Sequence, residues 1–307
     1  MTLEQLRIFV AVAEREHLTK AAQALNLTQS ATSAAIATLE ANHATKLFDR
    51  IGRRIMLTEA GRLLLVEARA VLAQVAVAEQ VLVDLSGLAR GRLSLAGSQT
   101  VGNYWLPGVI ERFRTAYPGI EVRLEIGNTG EVAARVHQGT ADLGIIEGEV
   151  DDAVLAAVPL AEDEMVLVAP VVHPWAWRAP RSAQELRAGP WVLREPGSGT
   201  RAIFEAYLSR HGVRPSELRL ALEYPSNEAI RAAVEAGSGA TVISRRVVDR
   251  AIRTGTMALI DMPLPSRQFI ALRHRERSVT RAAQAFLDLA LRLREEADVI
   301  PGVAPAP

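Results

Sequence analysis

The stretch of sequence that decides the fold is residues 19–58, and its first part, residues 19–36, reads TKAAQALNLTQSATSAAI. Asn26-Leu27 interrupts it and separates two short helical segments. Thr19 and Thr28 stand at the start of the first and the second segment, and a threonine hydroxyl can accept a hydrogen bond from the free N–H groups there. The pattern therefore predicts two helices joined by a tight turn, with both threonines as caps.

Small side chains on the first predicted helix, Ala21 and Ala22, let the second helix cross it closely. A pair of this shape places its second helix in the major groove of duplex DNA, with its N-terminal residues facing the base edges. Amide and hydroxyl side chains can bond bases or phosphates there, although an exposed side chain without base contact is the alternative for each. The predicted DNA-binding residues of the helix pair are Thr19, Thr28, Gln29, Ser30, Thr32 and Ser33.

A basic hairpin is predicted directly after the helix pair, where residues 47–58 read LFDRIGRRIMLT. Arg53 and Arg54 fall at its tip, and an arginine in such a position can enter the minor groove or bind phosphates. Arg50 stands further back, where it supports the hairpin or binds a phosphate. The three arginines complete the predicted DNA-binding set.

At these residues the chain resembles the LysR-type transcriptional regulators. The resemblance extends over the whole chain in length and layout, and it is most specific from Leu3 to Gly61, because LFDRIGRR at residues 47–54 and LTEAG at residues 57–61 follow the helix pair. It implies a sequence-specific DNA-binding regulator with several domains: an all-α winged helix-turn-helix and a linker helix, then an α/β effector domain similar to periplasmic binding proteins. The alternative for the N-terminal residues is a small helical bundle with no role in DNA binding.

The chain departs from the family pattern in three places: within residues 34–38, at Ala44, and at His43, which stands where relatives usually carry an aliphatic residue. Ala34, Ala35 and Ala37-Thr38 stand where relatives often carry Arg or Gln, so few long side chains reach the groove and DNA shape is expected to carry more of the specificity. Ala44 takes a position usually held by glycine; if the backbone there needs a positive φ, alanine costs about 1 kcal/mol. His43 is interpreted as a partly exposed histidine and not as a ligand.

The composition describes a soluble, multidomain chain. It has 307 residues, 49% hydrophobic and 23% charged, and no cysteine, so disulfides and thiol chemistry are excluded. The net charge is zero, but residues 1–62 hold eight Lys or Arg against six acids, a charge of +2 that an oligomer multiplies. Apolar runs are too short for a membrane span, and residues near the N-terminus do not form a signal peptide, so we expect a cytoplasmic location and no membrane partner.

A long helix is predicted over residues 59–88. Its apolar residues alternate at spacings of four and three over about three heptads, which is typical of a coiled-coil seam, although a helix packed inside its own subunit is the alternative. We expect it to link the domains and to form a dimer, and the resemblance implies a tetramer. The seam residues are Leu64, Ala68, Val71, Val75, Ala78, Leu82 and Leu85.

From residue 91 the pattern alternates between strands and helices, which predicts parallel sheets wrapped by helices. The predicted strands are residues 92–96, 121–126, 142–146, 164–168, 191–193, 219–223, 241–243 and 268–272, and the predicted helices are residues 104–117, 129–138, a segment near 182, 200–211, a segment from 227, and 279–297. The resemblance divides this effector domain, residues 91–300, into lobe one (91–162 and 268–300) and lobe two (163–267). Crossings are expected at 160–164 and 264–268, and a disordered tail at 301–307.

Two segments are expected to hold a small-molecule effector between the lobes, where strand ends meet helix N-termini. They read GSQTVG at residues 97–102 and EPGSGTR at residues 195–201, and glycines and hydroxyls at a helix N-terminus favour a negative group. The second segment resembles a family subgroup that includes regulators of carbon fixation and sulfur metabolism, which implies a carboxylate, an oxyanion or a phosphorylated metabolite. An ordinary helix cap, and for Arg201 a structural ion pair, are the alternatives. The predicted effector-binding residues are Ser98, Gln99, Thr100, Asn128, Thr129, Glu147, Gly197, Ser198, Gly199, Thr200 and Arg201.

Other functions are weaker interpretations. A cytoplasmic small-anion sensor without DNA binding would account for residues 91–300 but not for the hairpin and the linker. A hydrolase would need a Gly-x-Ser-x-Gly elbow, which the sequence does not contain. The six histidines show no metal-ligand spacing, so we expect no catalytic residues, no metal and no cofactor. The expected partners are double-stranded DNA, a small anionic effector and further copies of the chain, with RNA polymerase as an additional partner.

Overall fold

The computed structural model describes residues 1–51, 54–84, 91–148 and 150–299. The chain forms two compact units, one consisting of Met1–Leu85 and Gln138–Thr140, the other of Ser86–His137 and Ala141–Pro307. The predicted tail, residues 301–307, lies outside the described residues. No helix in the described part of the chain combines the length and the hydropathy that a bilayer span requires.

The first unit is a helical bundle that carries a small hairpin. Its core is apolar and includes Phe9, Val12 and Leu39, which are almost completely buried. Thr2 precedes the first helix and forms a capping box with Gln5: the Thr2 backbone N–H donates to the Gln5 side chain at 2.9 Å, and the Gln5 backbone N–H donates to the Thr2 side chain at 3.1 Å. In chain order the elements are α1 (Leu3–Arg15), α2 (Leu18–Ala24), α3 (Gln29–Asn42), β1 (Phe48–Ile51), β2 (Arg54–Leu57) and α4 (Glu59–Asp84).

One of the two predicted helix caps is confirmed and the other is wrong. Thr28 caps α3, and its hydroxyl accepts from the Ala31 N–H at 3.2 Å. Helix α2 begins two residues earlier than the sequence indicated, so Thr19 lies in its first turn. His17 occupies the cap position instead, and its Nδ1 accepts from the Lys20 N–H at 3.4 Å. An imidazole nitrogen can thus replace the hydroxyl that the prediction required.

The turn from α3 to the hairpin contains the strained alanine that the sequence indicated. Ala44 has a φ of 46°, in the left-handed region, so the condition on which its expected cost depended is met. His43 is exposed and ends α3. The hairpin itself is confirmed: β1 and β2 are antiparallel, with Phe48 opposite Leu57 and Ile51 opposite Arg54.

Helix α4 is 26 residues long and has two apolar faces. One face packs into the core of the first unit through Leu64, Leu65, Ala68 and Leu72. The predicted seam is therefore split, because Leu64 and Ala68 face this core while Val71 is exposed. Among the described side chains of α4, three large apolar ones are exposed to solvent, by 65, 43 and 42%: Leu63, Val66 and Val71. The side chain of Leu82 and the whole of Leu85 lie outside the described residues.

The second unit contains two mixed sheets covered by helices. Short 3-10 turns lie at Pro174–Ala176 and Pro215–Glu217. In chain order its elements are β3 (Gly91–Ser98), α5 (Gln99–Tyr104), α6 (Leu106–Ala116), β4 (Ile120–Gly127), α7 (Thr129–Gln138), β5 (Leu143–Glu147), β6 (Leu155–Asp163), β7 (Met165–Pro170), α8 (Ala183–Ala188), β8 (Pro190–Arg194), α9 (Gly199–Arg210), β9 (Arg219–Tyr224), α10 (Asn227–Glu235), β10 (Thr241–Ser244), α11 (Arg245–Arg253), β11 (Met257–Ile260), β12 (Arg267–His274) and α12 (Arg281–Val299).

Lobe one is a five-stranded sheet in the order β4-β3-β5-β12-β6. Strand β3 runs parallel to β4 and β5, as predicted, but β12 is antiparallel to β5 and β6. The prediction of parallel sheets is wrong at this edge because β12 brings the chain back from the other lobe. Strand β6 was not predicted; it pairs with β12 alone, and an edge strand tolerates Pro159 because the missing N–H has no partner to lose.

Lobe two is built around β7, which pairs antiparallel with β10 and β11, so the prediction of parallel sheets is wrong for this sheet as well. Strands β8 and β9 form a parallel pair, and a bridge between Trp191 and Ala240 joins it to the rest. Helix α11 and strand β11 were missed, since four arginines in α11 obscure its apolar face of Val247, Val248 and Ala251. The chain crosses between the lobes at Glu164, which separates β6 from β7, and again between β11 and β12.

Candidate DNA-binding surface and effector site

The first turn of α3 presents a compact group of exposed polar side chains. Thr28, Gln29 and Ser30 are exposed, and Ser33 is half-buried. The Thr28 and Ser30 hydroxyls lie 3.0 Å apart, and the Thr19 hydroxyl donates to the Gln29 side-chain oxygen at 3.3 Å. Contacts between near neighbours therefore hold this turn in one arrangement, with amide and hydroxyl groups toward solvent.

Thr32 does not belong to that surface. It is fully buried, and its hydroxyl donates to the Thr28 carbonyl at 3.1 Å. A base edge cannot reach it without unfolding the helix. We therefore correct its interpretation as a DNA-binding residue: Thr32 stabilises the helix that presents the others.

The next turns of α3 expose short side chains. Ala31, Ala34 and Ala37 are exposed, and the hydroxyl of the exposed Thr38 is already bonded to the Ala34 carbonyl at 2.8 Å. Methyl groups at a groove surface can contact thymine methyls but carry no hydrogen-bond code. Gln29 is thus the one long polar side chain exposed on the first three turns of α3, all of which the structure describes.

Glu40 braces the base of the hairpin, a role that the sequence analysis missed. Its carboxylate accepts from the backbone N–H groups of Leu47 at 2.8 Å and Phe48 at 3.2 Å, and from the Lys46 ammonium at 3.1 Å. Burial by itself would raise the pKa of Glu40, but these hydrogen bonds lower that pKa below its ordinary value. The side chains of Arg50 and Arg54, and the whole of Arg53, lie outside the described residues.

A buried polar cluster lies between the two lobes, centred on Arg267. Its guanidinium donates to Asp163 at 2.7 Å, to the Thr200 hydroxyl at 3.0 Å and to the Thr100 hydroxyl at 3.2 Å. Thr100 belongs to α5 in lobe one and Thr200 to α9 in lobe two. One side chain at the crossing strand thus joins the starts of two helices from different lobes. We name this set the interlobe cluster; it also includes Ser98, Glu147 and Asn227.

Asn227 makes the second link across the lobes. It is fully buried at the start of α10, donates to the Thr100 hydroxyl at 3.0 Å and accepts from Arg194 at 2.6 Å. Arg194 is itself paired with Glu195 at 2.8 Å. The charge next to Asn227 is therefore matched within lobe two.

Glycines allow the lobes to touch beside the cluster. The Gly199 N–H donates to the Thr129 hydroxyl at 3.2 Å, and the Gly130 N–H donates to the Gly197 carbonyl at 3.3 Å. A Cβ on Gly199 would lie 2.2 Å from the Glu147 carbonyl oxygen, and Gly197 has a φ of 88°. Both positions thus require glycine, one for close approach and one for its backbone.

The structure brings together most of the predicted effector residues. Gln99 is half-buried at the edge, and Asn128 caps α7 beside Gly197, accepting from the Glu131 N–H at 2.9 Å. The predicted residues buried at the lobe interface are Ser98, Thr100, Thr129, Glu147, Ser198, Gly199 and Thr200.

Arg201 points away from the interlobe cluster. It pairs with Glu205 at 2.7 Å and Glu223 at 2.5 Å and donates to the Arg194 carbonyl. Partial burial acts to lower its pKa, but the two carboxylates raise the pKa of Arg201 above its ordinary value. The structural ion pair, which was the alternative for this residue, is what the guanidinium forms. We correct Arg201 accordingly.

Sequence reasoning missed three charged residues at or near the interlobe cluster. Arg267, Asp163 and Arg194 are charged yet almost completely buried. A signal existed for two of them, because Arg267 lies in the predicted crossing at residues 264–268 and Asp163 in that at 160–164. A charge within a crossing between lobes is expected to face the cleft.

A winged helix-turn-helix in the same chain as a two-lobed α/β domain with a polar interlobe site defines the class of DNA-binding regulators with an effector domain. Residues 3–62 match the family described as "Bacterial regulatory helix-turn-helix protein, lysR family", and residues 86–294 match the "LysR substrate binding domain". The chain belongs to the LysR family of transcriptional regulators.

Named relatives are similar over most of their length. The chain is 38% identical to the uncharacterized HTH-type transcriptional regulator YeiE of Escherichia coli K12, covering 94% of this chain and 96% of YeiE. It is 36% identical to a probable RuBisCO transcriptional regulator of Cyanophora paradoxa, covering 83% and 80%. It is 35% identical to the regulator CysL of Bacillus subtilis, covering 81% and 82%.

Solved structures agree with the fold. The regulatory domain of CcmR from Synechocystis PCC6803, in complex with 2-PG, superimposes with a TM-score of 0.61 at 28% identity, covering 67% of this chain and 98% of that domain. Full-length CbnR in complex with its target DNA has a TM-score of 0.68 at 23% identity, covering 95% and 99%. The second similarity concerns the fold alone.

Proposed function

We propose that this regulator recognises duplex DNA with the first turn of α3 and the β1–β2 hairpin, and that a small anionic metabolite held between the lobes modulates operator binding or DNA bending. The observation that carries the proposal is the interlobe cluster, because buried hydroxyls and a guanidinium from both lobes converge there. The proposed DNA-binding residues are Thr19, Thr28, Gln29, Ser30, Ser33, Arg50, Arg53 and Arg54. The proposed effector-binding residues are Ser98, Gln99, Thr100, Asn128, Thr129, Glu147, Gly197, Ser198, Gly199 and Thr200.

An anion suits the lobe-two side of this cluster. Helix α9 is 12 residues long and begins at Gly199, and its cap residue Ser198 makes no side-chain hydrogen bond to the helix. The Gly199 N–H already donates to the Thr129 hydroxyl, so the dipole of α9 is what favours a negative group there. The structure of the similar CcmR regulatory domain contains 2-PG, which supports a small-molecule ligand for the effector domain of this chain.

The proposed division of the chain follows the same logic. Residues 1–58 bind DNA, residues 59–88 link and dimerise, and residues 91–300 bind the effector, with lobe one at 91–162 and 268–300 and lobe two at 163–267. The exposed apolar side chains of α4 supply a surface that a second copy would cover. We propose a dimer that assembles into a tetramer in the cytoplasm, has no catalytic role, and acts with RNA polymerase.

The test separates operator binding from the ligand response. Full-length protein is mixed with a DNA fragment from upstream of its own gene in a mobility-shift assay at low ionic strength, with a panel of carboxylates, oxyanions and phosphorylated metabolites. A Ser98→Ala, Thr200→Ala double variant should bind the fragment within about twofold of wild type yet lose the ligand response, because only hydroxyls of the interlobe cluster are removed.

Ser209→Ala is the matched control, since this exposed serine of α9 lies away from the cluster. It should keep both properties. A retained ligand response in the double variant would place the effector elsewhere. No shift by wild type, with or without metabolites, would contradict the DNA-binding half of the proposal.

A further inference from the structure

We infer that the anion held between the lobes carries its own hydrogen-bond donor, and that the Glu147 carboxylate accepts it. The chemical class is therefore a protonated oxyanion or a hydroxycarboxylate, and not a fully deprotonated or purely acceptor anion. This inference rests on the proposed function, because it assumes that the interlobe cluster is where the effector binds.

The first observation is the state of the Glu147 side chain. It ends β5 and is almost completely buried, with one carboxylate oxygen 3.7 Å from the Arg267 guanidinium. The other oxygen, Oε2, is buried and has no hydrogen-bond partner among the described residues. Buried carboxylate oxygens without a donor are rare and costly in folded proteins, so this one indicates a missing partner.

A second orphaned atom lies at the same edge of the lobe-one sheet. The Ser98 hydroxyl, at the end of β3, is buried and likewise lacks a partner within the described part of the chain. Strands β3 and β5 are parallel neighbours, with Gly97 opposite Ile145. Ser98 and Glu147 are the last residues of these two adjacent strands. Two unsatisfied polar groups at one sheet edge fit one ligand better than two unrelated defects.

The charges around Glu147 exclude an anion that only accepts hydrogen bonds. Glu147 and Asp163 both approach Arg267, and Asp163 holds it more closely, at 2.7 Å. Arg246 pairs with Asp163 at 3.3 Å, and the Ser244 hydroxyl donates to Asp163 at 2.7 Å. Neither contact is made to Glu147. A ligand oxygen without a proton would meet the Glu147 oxygen with no hydrogen between them, whereas an O–H would form a charge-assisted hydrogen bond.

The negative group of the same ligand is expected to bind at a different part of the interlobe cluster, near Thr100 and Thr200. The hydroxyl oxygens of Thr100 and Thr200 each accept from Arg267, so their own protons are directed elsewhere and can be donated. Thr200 itself lies in the first turn of α9, at the positive end of the helix dipole. The cluster thus offers donors on the α9 side and acceptors at Glu147, a polarity that matches an anion bearing one hydroxyl group.

The test compares two pairs of probes that differ in the donor. Inorganic phosphate keeps a proton at neutral pH while sulfate of similar shape keeps none, and glycolate adds a hydroxyl to acetate. Titration calorimetry on the full-length protein should give a preference of about tenfold or more for the donor-bearing member of at least one pair, the factor expected for a hydrogen bond to a charged group. The pair that discriminates identifies the protonated oxyanion or the hydroxycarboxylate as the source.

Glu147→Gln assigns the preference to this side chain. The amide keeps the size of the carboxylate but replaces an acceptor oxygen by a donor NH2 group, so the preference should fall to about threefold or less. The matched control is Glu111→Gln, an exposed glutamate of α6, which should keep the wild-type ratio. The wild-type ratio alone tests the inference should the Glu147 variant fail to fold.

Each outcome decides a different statement. Equal binding within both pairs overturns the inference and leaves the anion site standing. An unchanged ratio in Glu147→Gln removes the role of Glu147. Binding of none of the four probes by wild type overturns both the inference and the proposed anion site.

Discussion

The two polar sites of this chain are built in opposite ways. The first turn of α3 is exposed and uncharged, and contacts between residues at most ten positions apart arrange it. The interlobe cluster is buried and ionic, and Arg267 bonds there to partners 67 and 167 positions away. A DNA surface of the first kind can change its side chains at little cost to folding, whereas a site of the second kind ties ligand binding to the stability of the whole domain.

The largest effect is expected where the buried site loses its shared cation. Arg267→Met should lower the free energy of unfolding of the second unit by about 3–5 kcal/mol, because Glu147 and Asp163 lose their common partner inside the protein. Urea unfolding followed by tryptophan fluorescence measures this, since all four tryptophans lie between residues 105 and 191. The exposed Arg250→Met should change stability by less than about 0.5 kcal/mol. Similar losses in both variants would make the contrast between the sites wrong.

A smaller effect is expected from the close contact between the lobes. Gly199→Ala places a methyl group against the Glu147 carbonyl and the Thr129 hydroxyl, and should cost about 1–3 kcal/mol by the same assay. A methyl group on Gly108 of α6 would meet no neighbouring atom of the described residues within 4 Å. Gly108→Ala should therefore stabilise slightly, by about 0.4–1 kcal/mol. Destabilisation by both alanines would show that helix context, and not lobe contact, sets the cost.

The smallest effect is expected in the locally built unit. Ala44→Gly should stabilise the first unit by about 0.5 kcal/mol, because relief of left-handed strain, about 1 kcal/mol, is partly offset by the entropy of glycine. Hydrogen exchange of the α3 amides is the measurement. Ala37→Gly in the middle of α3 should act in the opposite direction. Faster exchange in Ala44→Gly would contradict the strain at residue 44.

Sequence reasoning succeeded where the physics is local. The cap at Thr28, the β1–β2 hairpin and the unusual backbone at Ala44 all depend on residues within a few positions of one another. Thr32 was misassigned because helical position alone did not distinguish its buried face from the exposed one. The role of His17 was missed because histidine is not among the usual capping residues.

The interlobe cluster could be predicted only in part for the opposite reason. Ser98, Thr100 and Thr200 were recognisable at the ends of strands, next to glycines, in two separate segments. Arg267, which connects Thr100 to Thr200, comes from a distant part of the chain and has no local motif. The antiparallel return of β12 was likewise hidden, because strand direction follows from the crossing between lobes and not from the alternation of elements.

The hydrogen bonds of the Glu40 carboxylate affect how the first unit is expected to bind DNA. It belongs to the recognition helix, yet it fixes the first two residues of the hairpin through their backbone N–H groups. The two elements proposed to contact DNA are therefore joined at the base of the hairpin before contact, which reduces the conformational entropy lost on binding. Under this proposal we expect the duplex to adjust its groove spacing to the protein, which favours sequences that deform easily.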